Sequence, residues 1–266
     1  MKQRTITALM ILIICIPILA IGGIFFNLFA VLISILGLKE MIDVRDHKSQ
    51  FPIVPKIIAF GTLVYLVAST SPSIETIYLM DYRTIALVML LLLLPIIVYH
   101  DNRVYNINDA LFLIGSVFML GIAFNLLIML RAESLMYVIY LFMITIMTDT
   151  WALIAGKLVG KHKLLESISP KKTWEGLVAG TVFGVLFGTV FYYITIDSSI
   201  NIFYLILGTT LLSLIGQLGD LVFSSIKRLY NQKDFSNLMP GHGGILDRMD
   251  SFIFVSLGYL LLMFIL

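Results

Sequence analysis

The sequence predicts an all-α polytopic integral membrane protein of about nine transmembrane helices. Three observations carry that prediction. Of 266 residues, 59% are hydrophobic and only 13% are charged, whereas soluble domains run at about 45–50% apolar and about 25% charged. The apolar residues come in runs such as "TIALVMLLLLLPIIVY" and "SFIFVSLGYLLLMFIL", and about 20 such residues in a helix cross the hydrocarbon core. The Lys and Arg residues segregate to alternate breaks between these runs. Lipid offers backbone groups no partner, so helices are the expected element. A transmembrane barrel would show alternating segments of about ten residues instead.

Polar breaks place the spans at 5–21, 24–42, 55–71, 84–98, 109–129, 134–155, 174–195, 201–225 and 249–266. The first, within "MKQRTITALMILIICIPILAIGG", also has the outline of a secretory leader, with Ala20-Ile21-Gly22 as a small-x-small cleavage site. An uncleaved helix is the preferred reading, because apolar character resumes at once in "IFFNLFAVLISILGL". Cys15 is the single cysteine, so no disulfide forms within one chain. It reads as a small core or lipid-facing residue. Gly22-Gly23 separates the first two spans, and the fourth span is short. No polar stretch is long enough to build a soluble domain.

Orientation follows from the basic residues. With the N-terminus cytoplasmic, only Arg83 and Arg131 of the 18 Lys and Arg fall outside. Two cytoplasmic segments stand out: 156–173, "GKLVGKHKLLESISPKKT", and 226–248, "IKRLYNQKDFSNLMPGHGGILDR". The net charge of +2 points to no nucleic-acid partner. Chemistry is expected at the cytoplasmic side of the cell (inner or plasma) membrane.

Ionisable residues inside spans are expensive and need a reason. Asp149 and Asp220 lie about 10 Å from the inner ends of the sixth and eighth spans. Asp247 and Asp250 open the ninth span and, three apart, share a helix face. Crowded carboxylates repel unless a cation sits between them, and Mg²⁺ suits oxygen ligands. The plainer alternative for Asp247 and Asp250 is a favourable helix-dipole position, and for Asp149 a polar packing role. In "PGHGG", 240–244, Gly241, Gly243 and Gly244 allow turns a side chain would forbid. The loop is either a simple turn or an anion site before a helix N-terminus. His242 bonds a phosphate, shuttles a proton or fixes the loop. In "SPKKT", 169–173, Lys171 and Lys172 meet phosphates or anionic headgroups, or serve only as a topology signal. Thr173 reads as an N-cap, with Trp174 at the interface and Glu175 in the first turn. "GKLVGK" is not a P-loop, since the spacing is wrong and His162 replaces the Ser/Thr. Gly156 and Gly160 there read as close-packing residues.

The run "SSIKRLYNQKDFSNLMPGHGGILDRMDS", 224–251, resembles the signature of the phosphatidate cytidylyltransferases. The pattern is met by Ser224 or Ser225, Lys227, Arg228, Lys233, Asp234, Pro240 to Gly244, Asp247, Arg248 and Asp250. "DTWALIAGKLVGKHKLLESISPKKTWEG", 149–176, and "GQLGDLVFSSIKR", 216–228, are similar to the same family. Phe235-Ser236 departs from the commoner Ser-Gly, and Trp151-Ala152 from Ala-Tyr. The resemblance implies that CTP and phosphatidate give CDP-diacylglycerol and pyrophosphate with Mg²⁺. It implies Asp220, Asp247 and Asp250 as metal carboxylates, with Asp149 an additional candidate. Lys227, Arg228, Arg248 and His242 would complete the catalytic set. Ser169, Lys171, Lys172, Thr173, Lys233, Asp234 and the loop glycines would bind substrate. It also implies a homodimer and places catalysis in 134–266, with the five spans of 1–133 as an N-terminal region. A CTP-dependent polyprenol or dolichol kinase and a transporter are the rival expectations. The candidate carboxylates cluster on one side, which disfavours a path through the membrane.

Overall fold

A computed structural model of the protein describes residues 2–46, 50–69, 82–101 and 103–263. Each expected span falls on a helix: α1 (Lys2–Ile21), α2 (Gly23–Asp46), α3 (Ile53–Ala68), α4 (Tyr82–Leu93), α5 (Pro95–Tyr99), α6 (Ile107–Glu133), α7 (Leu135–Leu158), α8 (Trp174–Thr195), α9 (Ile202–Leu229) and α10 (Leu246–Leu262). The fourth span is split into α4 and α5 because Pro95 has no N–H to continue the ladder. The ends of the third and ninth spans, residues 70–71 and 264–266, lie outside the described residues, as does Lys48. Among the described residues, six helical stretches are long and apolar enough to cross a membrane: Gly23–Asp46, Tyr82–Tyr99, Ile107–Glu133, Leu135–Leu158, Trp174–Thr195 and Ile202–Leu229.

Two sequence boundaries are corrected. The segment 156–173 is not a plain loop. Its start belongs to α7, and β1 (Lys163–Leu165) pairs antiparallel with β2 (Ser169–Thr173). Lys163 Nζ ties this hairpin by donating to the Pro170 carbonyl at 2.6 Å. Lys227 and Arg228, expected in a loop, form the last turn of α9, where cations meet the negative end of the helix dipole.

The chain divides into two units, Met1–Glu133 with Asp234–Asp247, and Ser134–Lys233 with Arg248–Leu266. In the first, α2, α3 and α6 form the core around Leu38, Ala59, Leu63, Leu113, Val117 and Leu120. Gly22 and Gly23 break α1 from α2 with φ of 69° and 58°, backbone angles that favour glycine. Arg131 completes the break: its guanidinium donates to the Leu19 and Ala20 carbonyls at 2.7 and 2.8 Å. Those are orphan acceptors at the end of α1. Asn106 and Asp109 cap α6 reciprocally, each side chain accepting from the other's backbone N–H at 3.2 Å. Asp109 also accepts from Arg45 Nε at 3.0 Å, and the guanidinium lies 4.5 Å from the Phe51 ring centre.

Both members of the Arg45–Asp109 pair are buried. Asp109→Ala would strand the Arg45 charge, at a cost of about 3–5 kcal/mol. The expected outcome is a clear fall in the thermal midpoint of the purified protein in detergent. A midpoint no lower than that of a Lys171→Ala control would refute it.

In the second unit, α8 presents Gly176, Gly180, Gly184 and Gly188 at intervals of four, along one face. A Cβ at Gly180 would stand 2.6 Å from the Thr148 carbonyl oxygen, and one at Gly176 would stand 2.7 Å from that of Ala152. α7 and α8 therefore pack backbone against backbone, as small residues allow in lipid. Trp151 stacks on Phe183 across the same seam, with ring centres 3.8 Å apart. Thr173 caps α8 as expected, its Oγ1 accepting from Gly176 N–H at 3.1 Å. Hydroxyls join further helices: Tyr140 to Thr209 and Thr148 to Ser213, both at 2.8 Å.

These glycines yield a sign prediction. Replacing a helical Gly with Ala ordinarily stabilises by about 0.8–1 kcal/mol. At Gly61 and Gly115 a Cβ meets nothing within 4 Å, so Gly61→Ala and Gly115→Ala are expected to be neutral or stabilising. Gly180→Ala is expected to destabilise, because the obstacle is backbone. Thermal midpoints of the variants in one detergent check this, and equal midpoints would remove the seam argument.

Candidate functional site

Three carboxylates meet in the second unit, each from a different helix. Gly216 and Gly219 let α10 lie close against α9: a Cβ at Gly216 would be 2.7 Å from Val255, and one at Gly219 would be 2.5 Å from Phe254. That approach brings Asp220 of α9 and Asp250 of α10 within electrostatic reach of one another, with Asp149 of α7 and Lys227 also acting on Asp250. Ser251 Oγ donates to Asp149 at 3.5 Å, and Asp250 accepts from the Ser251 N–H at 2.8 Å.

Lys172 reaches this group from β2. Its Nζ stands 2.8 Å from Asp220 Oδ2 and donates to the Gln217 carbonyl at 3.2 Å. Asp220 Oδ1 accepts from Ser224 Oγ at 3.2 Å. Gln217 is held in turn by Thr181 Oγ1 at 3.0 Å. Asp149 is exposed, while Asp220, Asp250 and Lys172 are half-buried. Lys227 is buried. The carboxylates supply hard oxygen donors, and the two lysines balance negative charge. Among the described residues, no three His, Cys, Asp or Glu side chains form a ready-made metal cage.

The neighbouring candidates are more open. Lys171, Arg228 and Arg248 are exposed, and Ser169 is half-buried at the start of β2. Arg228 braces the hairpin, its Nε donating to the Ile168 carbonyl at 3.4 Å, and NH1 donates to the Gln232 carbonyl at 2.9 Å. Lys233 is exposed at the end of this unit.

The "PGHGG" loop belongs to the first unit. Gly241 and Gly243 take φ of 80° and 86°, which the turn requires and a Cβ would strain. His242 N–H donates to the Met239 carbonyl at 2.8 Å, and Met239 and Gly243 form a β-bridge. Asp234 is exposed just before this loop. At the start of α10 the backbone N–H groups have partners within the chain. Ile245 and Leu246 donate to the Glu40 carboxylate at 2.8 and 2.9 Å, and Gly244 donates to Asp247 Oδ2 at 2.9 Å. The positive end of the helix is neutralised by the chain's own carboxylates. Asp247 also accepts from the Phe235 N–H at 2.8 Å, so it acts as a loop latch.

Sequence reading missed Glu40. The available signal was an acidic residue near the end of an apolar span, in "LGLKEMID". It also missed Gln217 and Ser251 as supports, and it named Ser224 only as a pattern position.

The fold and these side chains define a helical membrane protein with a carboxylate–lysine group set among its helices. The chain belongs to the cytidylyltransferase family, whose sequence profile matches residues 2–266. Curated relatives include the phosphatidate cytidylyltransferase of Staphylococcus saprophyticus, 40% identical over 257 residues, and that of Staphylococcus haemolyticus, 40% identical over 255 residues. That of Staphylococcus aureus is 39% identical over 257 residues. Each alignment covers 96% of both chains.

Proposed function

We propose that the protein is a phosphatidate cytidylyltransferase that converts CTP and phosphatidate to CDP-diacylglycerol and pyrophosphate. The observation that carries this reading is the full-length kinship to enzymes of that name at about 40% identity. In the reaction, a phosphatidate phosphate oxygen forms a bond to the α-phosphorus of CTP. The bond from that phosphorus to the bridging oxygen breaks, and pyrophosphate leaves with the electron pair. Positioning and charge neutralisation dominate such transfers.

The donor set fits Mg²⁺, which takes one or two protein carboxylates and completes its shell with substrate phosphates and water. Asp220 and Asp250 would hold it, with Asp149 close by. The ion, when bound, neutralises phosphate charge. Lys172 and Lys227 face the same carboxylates and would balance the triphosphate, with Arg228, Arg248, Lys171 and Lys233 further out. Asp247 would serve through the loop it latches. Nine crossings, a cytoplasmic N-terminus and a cytoplasm-facing site in the cell membrane belong to the same reading, on the distribution of Lys and Arg. So does the homodimer that the family resemblance implies.

The test is pyrophosphate release by purified protein in detergent with CTP, Mg²⁺ and phosphatidate. Controls omit phosphatidate, replace CTP with ATP, and replace phosphatidate with diacylglycerol or dolichol. Release that requires phosphatidate, with CDP-diacylglycerol in the lipid extract, is the expected result. CDP formation with phosphorylation of a lipid alcohol would replace the reading with a kinase.

A further inference from the structure

We infer that Glu40 is a positioning residue for the reaction, holding the 234–247 loop and the first turn of α10 in their working pose. The inference rests on the proposed activity. Glu40 lies on α2, about two hundred positions before the loop in the chain, and its residue is only 3% exposed. A carboxylate so buried needs strong partners. It has three: Ser236 Oγ donates at 2.6 Å, Ile245 N–H at 2.8 Å and Leu246 N–H at 2.9 Å. Two of these are orphan donors at the N-terminus of α10, where a negative charge is favoured.

The surroundings are shaped for this contact. A Cβ on Gly244 would stand 2.5 Å from both Glu40 carboxylate oxygens, so a side chain there would push the carboxylate off its donors. One turn before Glu40, Gly37 makes room for Leu246: a Cβ there would come within 3.2 Å of Leu246 Cδ2. Asp247 closes the loop from the other end through Phe235 and Gly244. Ser236, a departure from the commoner pattern, therefore has a use, since its hydroxyl bonds Glu40 and accepts from Leu238 N–H at 3.2 Å. α10 continues from this anchored turn through Arg248 to Asp250. No contact of Glu40 with substrate is needed for it to matter. Displacing an anchored helix start by a fraction of an ångström is enough to misplace reacting groups.

Glu40→Gln tests the inference with shape nearly kept. The amide retains one acceptor but turns a donor toward backbone N–H groups. The expected kinetic signature is a fall in kcat of about tenfold or more, with KM for CTP and phosphatidate changed by less than about twofold. Gly244→Ala attacks the same contact from the other side and is expected to give the same signature. The double variant should be no worse than the poorer single one, as shared contacts dictate. Hydrogen exchange supplies a readout free of catalysis. The amides of 244–246 should exchange faster in Glu40→Gln, while those of α7 stay unchanged.

Unchanged exchange at 244–246, or faster exchange with unchanged kcat, overturns the positioning role. Equal losses in every helix would reduce Glu40 to a general stability residue and also overturn it. If Glu40→Gln does not fold, Gly244→Ala carries both readouts and decides in the same way. Inactive wild-type protein would refute the proposed activity instead, and the exchange result would still report whether Glu40 holds the loop.

Discussion

Asp250→Ala is expected to abolish turnover, lowering kcat by about a hundredfold to a thousandfold or more, while the protein remains inserted and folded. Asp250 is the carboxylate on which Asp220, Asp149 and Lys227 all act. Removing it relieves repulsion among the acidic residues, so stability should hold or rise. A catalytic defect without a folding defect is therefore the distinguishing outcome. It should appear in pyrophosphate release at saturating CTP and phosphatidate, with an unchanged thermal midpoint. Asp250→Asn keeps the shape, removes the charge and should be nearly as poor. Near-normal turnover in either variant would withdraw Asp250 from the metal-holding role.

Lys172→Ala is the second large effect, a loss in kcat/KM of about a hundredfold. Lys172 is half-buried and bridges Asp220 and the Gln217 carbonyl. Truncating one partner of a close charge pair leaves the other uncompensated. Lys172→Arg should not restore full activity, because a planar fork does not replace a compact ammonium. Lys171→Ala removes the same charge one position earlier, but from an exposed side chain, and should cost less. That comparison separates chemistry from topology, since both lysines contribute equally to a positive-inside signal. Equal effects of the two substitutions would return "SPKKT" to a topology role.

Part of this architecture was legible in the residues because it depends on local chemistry. Long apolar runs need no knowledge of the fold to be read as helices, and each expected span does fall on helix, the fourth on two. Thr173 was legible as a cap because an N-cap acts within three residues. The C-terminal run pointed to the family because its charged and glycine residues are adjacent in sequence. Arg131 shows the limit. Its place in the chain suggested only an outside position, whereas the fold uses it to complete the end of α1. The glycines of α8 were visible at intervals of four, but nothing in the chain said that α7 would be their partner.

The site divides in the same way. Asp149, Asp220, Asp247 and Asp250 read as costly residues from the chain alone, because placing charge in an apolar span is expensive wherever the chain goes. Helix packing sets which partners each one meets. Asp149 meets Ser251 across 102 residues and Lys172 meets Asp220 across 48, while Asp247 turns inward to hold its own loop. Glu40, more than 190 residues from its partners, accepts from two backbone N–H groups at the start of α10 and from Ser236. A short motif specifies which groups are available. Which of them face one another depends on helix packing, and that is governed by where distant glycines let backbones approach.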